Sequence, residues 1–182
     1  MNQLAKKDVL AEAIQKRRNR VLDRDGYIGL FLRIGITVIA AWLLFTQVFL
    51  ITQVNGNEMF PAVRDGDLLL GYRLEKELRK NDIIVYEADG ELRTGRVAAL
   101  GGDIVDMDEN GGFSVNETIQ TGEILYPTYP KEGYEYPLKV PEEAVFVLAD
   151  YRTKGTDSRD LGPVSRKQIK GKVITLLRRR GM

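Results

Sequence analysis

Catalytic chemistry in this chain has few residue types to draw on. Of 182 residues, none is cysteine and none is histidine. Disulfides, thiol nucleophiles, Cys/His zinc sites and a Ser-His-Asp triad are excluded together. Carboxylates, lysines and the serines Ser114, Ser158 and Ser165 remain. A serine hydroxyl is a poor nucleophile until a neighbouring base takes its proton. Lysine serves as that base only when desolvation lowers its pKa towards neutrality. Two carboxylates sharing a proton are the other route. Two Asp-x-Arg steps, Asp150/Arg152 and Asp157/Arg159, concentrate charge late in the chain. No metal or cofactor motif is recognisable, and no cofactor is expected. A net charge of +1 gives no basic field for nucleic acid.

Positioning such groups falls to two kinds of element. Ile34 to Thr52 is uncharged and apolar all round, with one amide at Gln47. Its length suits one bilayer crossing. Lys6, Lys7, Lys16, Arg17, Arg18, Arg20, Arg24 and Arg33 precede it, which predicts a cytoplasmic N-terminus and an extracytoplasmic C-terminal part. No small-x-small cleavage site follows the run, so an anchor is expected and not a removed signal. The arm Asn2 to Arg24 reads as a weak amphipathic helix, either on anionic lipid or solvated. The expected division is a basic arm at 1–27, a transmembrane helix at 28–54 and an outer domain at 55–182.

The outer part reads as short strands separated by Gly/Asp/Asn turns. Strands are predicted at Leu68–Tyr72, Ile83–Tyr86, Gly95–Leu100, Phe113–Val115, Val145–Leu148 and Gly171–Leu177. The fold class is therefore mainly β, with antiparallel sheets behind one N-terminal helix. Thr121 to Pro141 carries four prolines and four tyrosines. It is either an exposed recognition loop or an insertion packed on the sheet.

Five segments, in order, resemble the type I signal peptidase family. Gly56-Asn57-Glu58-Met59-Phe60-Pro61…Gly66-Asp67 resembles G-x-S-M-x-P-T-L-x-x-G-D. Asn81-Asp82-Ile83-Ile84-Val85-Tyr86 is similar to G-D-I-V-V-F. Gly95-Arg96-Val97…Gly102-Asp103-Ile104-Val105 is similar to K-R-V-x-G-x-P-G-D-x-V, and Phe113 to Glu117 to V-x-V-N-G. Val140-Pro141…Phe146-Val147-Leu148-Ala149-Asp150-Tyr151-Arg152 with Asp157-Ser158-Arg159 resembles V-P-x-x-x-x-F-V-L-G-D-N-R…D-S-R. The resemblance implies coiled antiparallel sheets beside a membrane anchor, and signal-peptide cleavage by a serine nucleophile with a lysine base. It also implies a site framework of Met59, Pro61, Asp67, Arg96, Asp103, Asp150, Arg152, Asp157, Ser158 and Arg159.

Three positions depart from that pattern. The family serine falls at Glu58, the family lysine at Gly95, and the helper serine that steadies the lysine at Gly155. The resemblance then points to a catalytically degenerate form, of the kind found in Gram-positive pilus gene clusters. Such a protein would bind a pilin precursor or preprotein signal peptide, or a sortase, at the membrane, and assist pilus polymerisation without cleaving anything. Two alternatives stay open. One is an active peptidase in which Glu58 works with Asp150 or Asp157. The other is an inhibitory partner of an active signal peptidase. Arg96 is a candidate cation for Glu58, although strand alternation would point it away from position 95.

Overall fold

The computed structural model describes residues 2–75, 77–121 and 126–178. The chain forms two compact units, Met1–Thr46 and Gln47–Met182. Helix α1, Asn2–Val48, accounts for the first. Its stretch Gly26–Val48 has 23 residues at mean hydropathy 2.2. At 1.5 Å per residue that is roughly 35 Å, enough for the ~30 Å hydrocarbon core of a bilayer. Among the described residues it is the one helix long and apolar enough to cross. No break separates the arm expected at 1–27 from the span. The amphipathic reading of Asn2 to Arg24 rests on side chains that, Gln15–Arg17 apart, lie outside the described residues.

The expected helix end at 54 is moved back to Val48. Strand β1, Phe49–Gln53, follows at once and pairs antiparallel with β2, Leu68–Tyr72, from Phe49 opposite Tyr72 to Gln53 opposite Leu68. Leu50 and Val54 are buried in the core with Met59, Val63 and Leu69. Burial and pairing of this segment outweigh its helical apolarity, and Ile51 and Thr52 are β-branched.

The second unit is built on a seven-stranded sheet. It adds β3 (Ile83–Ala88), β4 (Glu91–Ala99), β9 (Ala144–Leu148), β10 (Val164–Ser165) and β11 (Ile169–Leu177) in the order β1-β2-β11-β3-β4-β9-β10. A four-stranded sheet, in the order β7-β6-β5-β8, uses β5 (Ile104–Met107), β6 (Phe113–Val115), β7 (Thr118–Ile119) and β8 (Leu138–Lys139). Every pairing is antiparallel. The mainly β expectation holds.

β9 shows why the unit coheres. All five of its residues are buried, and alternation sends them to two cores. Val145 and Val147 pack with Ile84, Tyr86 and Val97. Ala144, Phe146 and Leu148 pack with Val105, Met107, Phe113 and Val115 from the smaller sheet. A register shift between Val97 and Ala99 in β4 moves Ala99 to the second core while Val97 stays in the first. Each fully buried Val, Leu or Phe here contributes about 1.5–3 kcal/mol of transfer free energy.

Candidate functional site

Glu58 lies on the tight turn that follows β1. The turn is closed by backbone bonds from Phe60 N to Asn57 O (3.1 Å) and from Val63 N to Met59 O (2.9 Å). Met59 and Val63 are buried under it, which fixes the turn and leaves residue 58 facing outwards. Pro61 sits at its exposed rim. Glu58 helps to line a cavity of about 490 Å³, with Thr52 to Gly56 and Met59 on one side and Val85 and Glu91 to Thr94 on the other.

The bonds of the Glu58 carboxylate are long. Thr156 N donates to Oε1 at 3.3 Å, and Arg93 Nη1 stands 3.7 Å from the same oxygen. Arg93 Nη2 is closer to Glu91, at 3.0 Å. The Arg93 Nε is buried without a hydrogen-bond partner among the described residues. Arg96 turns the other way and makes a two-pronged pair with Asp150, at 2.7 and 2.6 Å. The alternation argument against Arg96 therefore holds. It also contained the signal for Arg93, two residues before position 95 on the same face, which the sequence reading did not use.

Tyr86 is the second residue the sequence reading placed only in a strand. It pairs with Arg93 across β3 and β4, and its ring is buried. Burial first, then the negative charges of Asp157 and Glu58, push its phenol well above the usual range. Residue 95 is paired with Ile84. A Cβ there would stand 2.3 Å from Val147 Cγ1 and 3.4 Å from Tyr86 Cε1. At Gly155 a Cβ would stand 2.1 Å from Ala149 Cβ. Gly155 N donates to Tyr151 O (2.8 Å), and Tyr151 N donates to Glu58 O (2.8 Å). The fold thus draws residues 58 and 155 together through Tyr151 and Thr156, with residue 95 behind Tyr86.

The charged residues expected to form a framework are tightly bonded. Asp157 caps the short helix α2, Ser158–Leu161, and binds Arg159 at 2.8 and 2.9 Å. Both side chains are almost wholly buried. Ser158 Oγ accepts from Val147 N (2.9 Å) in β9, and Asp157 Oδ2 accepts from Ala149 N (3.0 Å) just beyond it, which satisfies two buried amides. Arg159 also donates to the carbonyls of Arg152 (2.6 Å) and Tyr129 (3.2 Å). Arg152 is buried over the Phe113 ring and bonded to Thr128 Oγ1 (3.2 Å). Burial lowers its guanidinium to about 10. Neither Asp150 nor Asp157 shares a proton bond with Glu58 among the described residues.

Asp67 and Asp103 close turns further out. Asp67 accepts from Arg64 N (3.0 Å) and Arg178 Nε (3.4 Å). Asp103 accepts from Leu100 N (2.9 Å) and Asn116 Nδ2 (2.7 Å) and pairs with Lys80 (3.0 Å). Burial alone would raise its carboxyl, but these donors together hold it below its usual value. The Pro/Tyr-rich segment packs on this scaffold. Thr128 is buried, and Lys131 Nζ donates to Gly155 O (2.7 Å) and Asp160 (2.6 Å). Residues 122–125 of that segment lie outside the described residues. No cluster of His, Cys, Asp and Glu suited to a metal occurs among the described residues.

The family described as signal peptidase, peptidase S26, matches residues 27–177. A signal peptidase I from Bacillus caldolyticus is 32% identical over 156 residues, which cover 77% of this chain and 84% of that protein. A probable thylakoidal processing peptidase 2 of Arabidopsis thaliana is 27% identical over 154 residues, 77% of this chain but only 41% of that longer protein. The crystal structure of a signal peptidase I from Enterococcus faecalis is similar at 25% identity and a TM-score of 0.46, over 55% of this chain and 98% of that one.

Proposed function

The chain belongs to the family described as signal peptidase, peptidase S26, and on that premise we propose that it is a non-proteolytic, peptide-holding member of it. Gly26–Val48 anchors it, with the basic arm in the cytoplasm and the β unit outside. It holds the signal peptide of a pilin precursor or other preprotein, or docks a sortase, and assists sortase-dependent pilus assembly. Glu58, Gly95 and Gly155 stand where the family pattern has its nucleophile, base and helper.

One observation carries this reading: the space at one of these positions, 155, is taken. The family pattern has glycine where this chain has Ala149, and serine where it has Gly155. The Ala149 methyl occupies the place a Cβ at 155 would need. Size has been exchanged between the two partners, so the helper cannot return by a single substitution. At Gly95 a Cβ would meet Val147, but the family pattern carries valine at that position beside its lysine, so this contact alone does not separate the chain from it. The bond pattern also supports a silent site. Asp150 and Asp157 are each held by an arginine, and among the described residues no carboxylate is hydrogen-bonded to Glu58.

The test uses the full chain in detergent, incubated with a preprotein and with a pilin precursor, and mass spectrometry of the products. No cleavage, with the precursor retained on the protein, is expected. Cleavage that disappears in Glu58→Ala would overturn the reading. Glu58→Ser/Gly95→Lys/Gly155→Ser is expected to stay inactive until Ala149→Gly is added. A form without the anchor is expected to lose its effect on pilus assembly in cells; full function of that form would count against membrane-bound action.

A further inference from the structure

A second cavity, of about 360 Å³, lies away from the Glu58 cavity, between the loop after β2 and the start of β11. Arg73, Arg166 and Lys172 line it, with Glu75 as the one acidic lining residue. Lys172 is also paired with Asp82 at 3.0 Å. Arg73 and Arg166 are exposed. Backbone carbonyl binding orients Arg73: its Nε donates to Phe49 O (3.2 Å). That bond uses the inner edge of the guanidinium and leaves the terminal nitrogens for a ligand.

The position of this cavity along the chain selects the ligand. Arg73 N donates to Val48 O at 2.8 Å, and Val48 is the last residue of the span Gly26–Val48. If that span crosses a bilayer, a residue bonded to its final carbonyl lies in the headgroup layer, roughly 5–7 Å thick on each side. Leu74, next to Arg73, has 55% of its surface exposed. A cation beside an exposed aliphatic side chain matches the boundary between phosphate and acyl chain. Arginine suits phosphate because its planar fork offers parallel donors.

We propose that the Arg73–Arg166–Lys172 cavity binds the headgroup phosphate of an anionic glycerophospholipid at the outer end of the membrane span. The proposal depends on the span crossing a bilayer and is independent of the peptide-holding reading. Native mass spectrometry of the full chain released from detergent provides the test, with phosphatidylglycerol, phosphatidylcholine or inorganic phosphate added. The expected result is one retained phosphatidylglycerol that Arg73→Gln/Arg166→Gln loses and Arg73→Lys/Arg166→Lys keeps at reduced occupancy. The basic arm is unchanged in all of these, so any lipid it holds is common to them. Equal retention in the Gln variant with an unaltered melting temperature would overturn the proposal. So would equal retention of phosphatidylcholine, which would show no charge selection. Displacement of the lipid by equimolar inorganic phosphate would show a free-anion site and overturn the lipid assignment.

Discussion

Asp157 and Arg159 are joined by bonds of 2.8 and 2.9 Å with at most 2% of either side chain exposed. Joined to this pair through Thr156, Glu58 reaches its neighbours at 3.3 and 3.7 Å with about a third of its side chain in solvent. Both regions are charged, and both lie in segments that carry the family resemblance. The first is built onto the end of β9 and satisfies the buried Ala149 amide just beyond it, so losing it would leave a buried donor bare. The second borders a cavity, and its carboxylate accepts one long bond from the Thr156 amide. Structural pressure therefore preserves the framework whether or not chemistry continues, and only catalysis would preserve the identity of residues 58, 95 and 155. A family resemblance carried by the framework reports the fold and leaves the activity to be settled at the cavity.

The largest test of this contrast is Arg159→Ala. It strands Asp157 in the interior and frees the carbonyls of Arg152 and Tyr129, for an expected loss of roughly 3–5 kcal/mol in chemical denaturation. A loss under 1 kcal/mol would mean that the framework is not what holds β9. Ser158→Ala is next. It leaves the buried Val147 amide unsatisfied, at a cost of about 1–3 kcal/mol, read from the same curves.

Gly155→Ser is expected to destabilise by roughly 1–3 kcal/mol through its contact with Ala149. Combined with Ala149→Gly, most of that cost should vanish, and a double-mutant cycle would give the coupling directly. Additive effects would break the idea that size was exchanged between the two positions. Glu58→Gln has the smallest expected effect, about 0–1 kcal/mol, because its partners are long and partly solvated. A melting shift as large as that of Ser158→Ala would erase the distinction between the regions.

Some of this was legible in the residues because it follows from local pattern. Loss of histidine and cysteine, the apolar run and its basic flank, and period-two strands at Leu68–Tyr72 and Phe113–Val115 depend on residue type and spacing alone. The order of Asp-x-Arg steps was likewise readable, and so was Glu58 ahead of the Met-x-Pro turn, where the resembled pattern has a serine. Strand alternation, carried one step further, would have found Arg93. Tertiary structure decided the rest. Phe49–Gln53 became a strand because Leu68–Tyr72 offered a partner and Leu50 a core, a competition between residues fifteen positions apart at the register pair Gln53–Leu68 and further apart towards Phe49–Tyr72. The Cβ space at Gly95 and Gly155 depended on how closely β9 and Ala149 approach them. Packing distances of that kind join residues more than fifty and six positions apart, and no local pattern encodes them.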